Sequence, residues 1–502
     1  MQGLTLRRIT EVTKGAFYLS IPDPEGKDLC LDAEHAAQTG AKERAAYEDA
    51  LDTEVSSIVT DSRKAGAGSV FGAIVGERVD GHRFISSVFD QGAVCVLSEK
   101  MLNREDVFGQ NVTGETVPEG GRAWIKVENT IAALGAIASE YLRILDVPVV
   151  GITGSVGKTS TKEMIASVLS QKYRTLKTQG NFNNELGVPL TIFRLREEDE
   201  IAVLEMGINH FGEMTRLASI AKPHTGVITN IGTAHLEFLG DRDGILKAKT
   251  EMLDFIRPDG HIILNGDDDK LCTVKEHNGI SPVFFGLDPK NDVYADELQS
   301  HGLKGTSCRI HLGEETFSAD VPVPGIHMVY NALAAAAVGR VYGLTTEEIA
   351  RGIESMETIS GRFKLIETEK LMIVDDCYNA NPGSMKASLD VLKDGEGRRV
   401  AILGDMFELG ENEKQMHREV GHHAAVCGIE EVICVGALSK EMAEEAEQTA
   451  ERTKTGTQVI YEEDREGLLA RLAGYIHAGD TILVKASHGM GFDRVVEALQ
   501  DL

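Results

Sequence analysis

The sequence predicts an α/β chain of three domains: a small N-terminal α/β substrate domain over residues 1–146, a central parallel-sheet ATPase domain built on a P-loop over 147–360, and a C-terminal doubly wound, Rossmann-like domain over 361–502. Three observations carry that expectation. A chain of 502 residues is too long for one hydrophobic core. Near one third of its length an apolar run breaks into a glycine-rich turn and then a helical pattern. In the last third, short apolar strands alternate with helical patterns, as in a doubly wound sheet.

Composition narrows the class before any motif is read. Apolar content of 42% and charged content of 26% are ordinary for a globular enzyme. The net charge of -28 argues against nucleic-acid binding, which wants a basic face, but leaves room for a local positive pocket around a small anion. The first twenty residues lack the apolar core of a signal peptide and no run reaches membrane-spanning length, so the reading is a cytoplasmic chain with no membrane insertion. Seven cysteines (Cys30, Cys95, Cys272, Cys308, Cys377, Cys427, Cys434) are scattered singly without CxxC spacing, which reads as reduced thiols rather than a disulfide or zinc framework.

The turn is a phosphate cradle. After the strand Val149-Val150-Gly151-Ile152 come Thr153, Gly154, Ser155, Val156, Gly157, Lys158, Thr159 and Ser160. Gly154 and Gly157 let backbone N–H groups turn inward, Lys158 brings an ammonium to the outer phosphates, and Thr159 offers a hydroxyl to Mg²⁺. From Thr159 to Gln171 the spacing places Met164, Ile165, Val168 and Leu169 on one helix face, so a helix N-terminus points at the anion. Ile152 stands where the strict eight-residue pattern wants its first glycine.

Other segments bear on function with less force. In the N-terminal part, Asp61-Ser62-Arg63 at a strand end suits a diphosphate and equally suits a surface turn. Residues 20–55 and 101–123 show little periodicity and read as surface insertions, while Ile131 to Leu145 reads as a helix. The loop with Asn181, Asn183 and Asn184 is either turn chemistry or a grip on substrate oxygens. Strands ending near Glu205 and before His235 offer a carboxylate and an imidazole that together could hold Mg²⁺; a histidine after a strand is also commonly structural. Lys249 falls on an amphipathic helix, where spacing alone reads it as a solvated lysine.

These motifs in order resemble the ATP-dependent Mur ligase family of bacterial cell-wall synthesis. The matching positions are Thr60-Asp-Ser-Arg63 with Asp80-Gly-His82, Thr153-Gly-x-x-Gly-Lys-Thr159, Asn181-x-Asn-Asn184, Glu205-Met-Gly207, His235-Leu-Glu237, Ala248-Lys249-x-Glu251 and Gly325-x-His327. The family's own cradle has the variant seen at Ile152. In the last domain, Asp375-Asp376-Cys377-Tyr378-Asn379-Ala380-Asn381-Pro382 resembles the signature of the branch that adds D-alanyl-D-alanine to UDP-N-acetylmuramoyl-tripeptide, and Gly404-Asp405-Met406 agrees with it.

The resemblance implies a monomeric ligase in which the tripeptide carboxylate takes the γ-phosphate of ATP and the dipeptide amine then displaces phosphate. It implies catalytic roles for Lys158, Lys249, His235 and Arg362, ATP contacts from Thr153 to Ser160 and from Asn331, Arg362 and Asp375, and Mg²⁺ on Thr159, Glu205 and His235. Lys249 joins the metal ligands if carbamylated to N6-carboxylysine. Carbamylation needs the neutral amine, which an unperturbed lysine with a pKa near 10.4 offers in only about one molecule in a few thousand at pH 7. The substrate contacts implied are Ser62, Arg63, Asn181, Asn184, Asp376, Tyr378, Asn379 and Asn381. Two departures stand out: Met328 where the family usually has Asn, and Ala486 and His488 where it usually has Gly and Arg.

Overall fold

Three sheets organise the chain in a computed structural model that describes residues 1–21, 29–76, 79–109, 121–233 and 236–502. The first has the order β2-β1-β6-β5-β4-β3, from β1 (Ala16–Ile21), β2 (Leu29–Leu31), β3 (Ser57–Val59), β4 (Ser69–Gly72), β5 (Cys95–Ser98) and β6 (Arg122–Lys126). Strands β3 to β6 run parallel, and β1 is antiparallel to both β2 and β6. Phe71, Ile85, Val88, Val96, Phe108 and Trp124 pack into one core against this sheet. The helix Thr130–Leu145 follows, its first turn capped by the Asn129 side chain accepting from the Ala132 N–H, and buries Leu134, Ile137 and Tyr141.

The two segments expected to be surface insertions are partly structural. Within 20–55, helices Ala33–Gln38 and Ala41–Leu51 form, and Tyr47 packs edge-on against Phe17 with ring centroids 5.3 Å apart. Within 101–123, helix Arg104–Phe108 buries Val107 and Phe108, and β6 begins at Arg122. These helices span one to three turns, too short for a 3.6-residue period to stand out above alanine and charge. Residues 22–28 and 110–120 of those segments lie outside the described residues.

The cradle strand is β7 (Val149–Thr153), followed by β8 (Thr175–Lys177), β9 (Ile201–Glu205), β10 (Thr225–Ile228), β11 (His261–Asn265), β12 (Val283–Gly286), β13 (Val293–Ser300), β14 (Thr306–Leu312) and β15 (Glu315–Val321). The run β7-β10-β11-β12-β13 is parallel, with Ile152 opposite Val227 and Val227 opposite Ile263. An antiparallel β13-β14-β15 meander extends it, an addition that the parallel-sheet reading did not contain. Helix Lys158–Leu169 buries Met164, Ile165, Val168 and Leu169, the face read from the spacing.

The third sheet has the order β16-β17-β21-β18-β19-β20, from β16 (Lys364–Glu367), β17 (Met372–Asp375), β18 (Arg399–Gly404), β19 (Glu431–Val435), β20 (Gln458–Glu462) and β21 (Thr481–Lys485). All its pairings are parallel except the edge strand β16. Ile373, Ile402, Ile433 and Val484 centre its core on one face. By packing, the chain divides into two compact units, one of residues 1–149, 178–206 and 216–222 and the other of 150–177, 207–215 and 223–502. The second unit therefore holds both the cradle and the third sheet.

Candidate active site

The end of β7 turns on glycines whose backbones other residues could not supply. Gly154 has φ 155° and a Cβ there would lie 1.9 Å from the Thr229 hydroxyl; Gly157 has φ 80° and is the N-cap of helix Lys158–Leu169. As a glycine, that N-cap has no side chain with which to cap the helix. Asn230 braces the loop: its Oδ1 accepts from the Val156 N–H at 3.0 Å, its Nδ2 donates to the Val156 carbonyl at 3.0 Å, and its own carbonyl accepts from the Ser155 N–H at 3.1 Å. The amides of Ser155 and Val156, expected on phosphate, are thus held by Asn230, which the sequence reading did not select. Thr153 is buried beneath the turn and its hydroxyl has no hydrogen-bond partner among the described residues. Lys158 folds back to donate to the Gly154 carbonyl at 2.9 Å, and Thr159 and Ser160 follow in the first helical turn, with Thr159 buried.

Asn331 lies in the helix Ile326–Val341, where its Oδ1 accepts from the Thr161 hydroxyl at 2.8 Å and its Nδ2 reaches the Met328 sulfur at 3.2 Å. Met328, one of the departures from the family pattern, is therefore a buried partner of a residue expected to contact ATP.

Lys249 is not solvated. It sits in helix Arg242–Thr250 with 1% of its surface exposed. Burial, and secondarily the nearby Lys158 ammonium, hold its pKa well below the ordinary lysine value. A one-residue signal cannot show this from sequence, because the helix pattern gives the same face to a surface lysine. His235 lies outside the described residues.

In the same unit, Asp375 closes β17 and is fully buried; its Oδ2 accepts from the Gly361 N–H at 2.7 Å and from the Ser360 hydroxyl at 2.8 Å. This holds the turn in which Arg362 lies with its guanidinium 4.0 Å from the centre of the Tyr378 ring. The Tyr378 ring also meets His488 at 5.1 Å. Asp376 forms a nearly buried ion pair with Lys485, Nζ to Oδ2 2.6 Å, and accepts from Ser388 at 2.7 Å; Lys485 also donates to the Asn379 carbonyl at 3.1 Å. The Asn379 side chain accepts from the Ala380 N–H, and Asn381 caps helix Pro382–Leu392 through a reciprocal pair with Ser384. Lys485 was missed by the sequence reading, although Lys485-Ala-Ser carried the signal. His327 is half-buried, desolvation lowers its pKa, and its ring lies 6.2 Å from Phe363.

In the first unit, Glu205 ends β9 with 2% exposure and its Oε1 accepts from Asn183 at 2.8 Å, so the amide that positions it is Asn183 rather than its neighbours. Asn184 accepts from the Gly187 N–H at 2.8 Å, and Asn181 is exposed. Arg63 forks onto Asp61 at 2.9 and 2.8 Å, which pulls the Asp61 pKa down to about 2, while the Arg63 side chain stays 87% exposed beside Ser62.

Family models match along the chain: the Mur ligase family catalytic domain over residues 54–142, the Mur ligase middle domain over 152–339, and the Mur ligase glutamate ligase domain over 361–488. The UDP-N-acetylmuramoyl-tripeptide–D-alanyl-D-alanine ligase of Bacillus subtilis is 36% identical, covering 89% of this chain and 93% of the relative. The enzyme of that name from Escherichia coli is 35% identical, over 100% and 99%. Among solved structures, MurF from Acinetobacter baumannii superposes with a TM-score of 0.81 at 29% identity over 99% of both chains. MurF ligase from Thermotoga maritima, in complex with ADP, gives 0.75 at 28% identity, covering 89% of this chain and 97% of that one.

Proposed function

The chain belongs to the Mur ligase family, and from that premise we infer that it is an ATP-dependent ligase joining D-alanyl-D-alanine to UDP-N-acetylmuramoyl-tripeptide. The observation that carries the chemistry is the presence, within one compact unit, of an anion cradle at Lys158 and a buried, pKa-lowered amine at Lys249. The substrates come from the relatives' names and from the ordered loop Asp375 to Asn381.

A carboxylate does not condense with an amine at neutral pH, so it is first activated. The tripeptide's terminal carboxylate attacks the γ-phosphorus of ATP, ADP leaves, and an acyl phosphate forms. The neutral amine of D-alanyl-D-alanine then attacks the acyl carbon, phosphate leaves with the bonding pair, and the amine's extra proton goes to solvent or base. Lys158 and the helix N-terminus offset charge on the transferring group, largely by positioning. Arg362, fixed over Tyr378 by the Asp375-held turn, is a second cation for the phosphates. Asp376, Tyr378, Asn379 and Asn381 line the dipeptide side, and Ser62 and Arg63 the UDP side.

Two accessory groups fit the residues present. Because Lys249 is pushed toward its neutral form, its Nζ can add to CO₂ with loss of one proton, giving N6-carboxylysine. A carbamate oxygen and the Thr159 hydroxyl are hard oxygen donors of the kind Mg²⁺ takes, and the family pattern offers Glu205 and His235 as further candidates. Mg²⁺ would supply neutralisation of phosphate charge when bound. The three-domain division at 146 and 360, a monomeric state and a cytoplasmic location complete the reading; no helix among the described residues is long and apolar enough to cross a membrane.

The test is phosphate release from ATP and Mg²⁺ with UDP-N-acetylmuramoyl-tripeptide, with and without D-alanyl-D-alanine, with mass spectrometry of the product. Release that requires the dipeptide, and a product heavier by that residue pair, is expected. Release driven equally by other amines moves the substrate to a sister ligase, and release indifferent to amines overturns the ligase reading.

A further inference from the structure

A cluster outside the site just described brings together three different donor atoms. Asp390 lies near the end of helix Pro382–Leu392, and His423 and Cys427 lie four residues apart at the end of helix Glu413–Val426, Cys427 being its C-cap. Four-residue spacing puts the imidazole and the thiol on one helix face. The Asp390 Oδ1 is 2.8 Å from His423 Nε2 and 3.5 Å from the Cys427 sulfur, and the three donor atoms all lie within 4.8 Å of one another.

We propose that Asp390, His423 and Cys427 form a binding site for a borderline-soft divalent cation such as Zn²⁺, held by one oxygen, one nitrogen and one sulfur with a fourth position open to water. Ideal tetrahedral zinc, with bonds of about 2.0 Å to oxygen and nitrogen and 2.3 Å to sulfur, sets its ligands about 3.3 Å apart for oxygen and nitrogen and about 3.5 Å for oxygen and sulfur. The carboxylate and thiol already stand at that separation. The carboxylate and imidazole need to open by about 0.5 Å, within the reach of an Asp390 side chain that is 60% exposed. An imidazole and a thiolate select Zn²⁺ or Co²⁺ over Mg²⁺, which wants six oxygens. The site is thus distinct in chemistry from the Mg²⁺ donors near Thr159.

Binding costs one proton. Cys427 gives its thiol proton to solvent as the metal–sulfur bond forms, and His423 offers the Nε2 lone pair by carrying its proton on Nδ1. Burial and the Asp390 carboxylate raise the Cys427 pKa to about 11, so the thiol rests protonated and protected until a cation replaces the proton. The cation would tie helix Pro382–Leu392 to helix Glu413–Val426, which the Lys386–Glu419 ion pair at 2.9 Å already joins on the surface. Separated by 33 residues, Asp390 and His423 give no linear spacing that would betray the site.

The test uses the full chain, stripped with a chelator and titrated with Co²⁺ alone. The expected result is a near-ultraviolet thiolate-to-cobalt charge-transfer band that saturates at one equivalent. Cys427→Ser abolishes it, Cys272→Ser leaves it, and His423→Ala weakens binding by roughly tenfold or more. Absence of the band at excess Co²⁺, or a band unchanged in Cys427→Ser, overturns the proposal.

Discussion

Keeping Lys249 inside the protein lowers stability, because a buried amine must either give up its proton or lose its hydration. An apolar side chain of similar length would carry no such cost. Lys249→Met is therefore expected to abolish ligation while raising stability near neutral pH by about 1–3 kcal/mol in CO₂-free buffer. The pH dependence has a definite sign. The folded pKa lies below the unfolded value of 10.5, so between the two the unfolded chain holds a proton that the folded chain does not. Wild-type stability then rises with pH across that window, and the advantage of Met shrinks as pH approaches 10.5. Urea unfolding of both proteins at several pH values measures it; a gain that stays flat with pH would mean that Lys249 keeps its charge when folded.

Helix Pro382–Leu392 illustrates how a local rule and a proposed binding role converge on one side chain. The Asn381 Oδ1 accepts from the Ser384 N–H at 2.9 Å, and the Ser384 hydroxyl accepts from the Asn381 N–H at 3.1 Å. Asn381→Ala removes the cap and is expected to lower stability by about 1 kcal/mol, while Asn381→Ser retains most of it. Dipeptide KM separates the two roles: recovery of KM together with stability in the Ser variant assigns Asn381 to the cap, and recovery of stability alone assigns it to substrate as well. Periodicity made this scale readable wherever an element was long or fully buried. The strand and helix around Lys158 and helix Thr130–Leu145 stand within a residue or two of where the pattern places them, and the last third does alternate parallel strands with helices. Short elements escaped it, as in helices Ala33–Gln38 and Ala41–Leu51. So did contacts that depend on side chains meeting across the sequence. Three asparagines within four residues look alike in a sequence, yet of them Asn183 is the one that reaches Glu205, and nothing local tells Lys249 from a surface lysine.

At the scale of the whole molecule, the proposed function asks a chain of net charge -28 to receive two polyanions, ATP and a UDP-linked tripeptide. Attraction by Lys158 acts over a few ångströms at any salt concentration, whereas repulsion by the total charge reaches as far as the Debye length allows. That length falls from about 30 Å at 0.01 M salt to about 8 Å at 0.15 M. Raising salt across this range should thus remove the long-range repulsion and leave the local cradle nearly intact. The expected outcome is a rise in kcat/KM of roughly 2- to 10-fold for ATP and for the UDP substrate. D-alanyl-D-alanine carries one charge of each sign and serves as the internal control: its kcat/KM, measured with both anions saturating, should hardly move. A fall in kcat/KM for the anions with added salt would reverse the argument, because it would mean that positive charge near the cradle, rather than the acidic molecule as a whole, governs their approach.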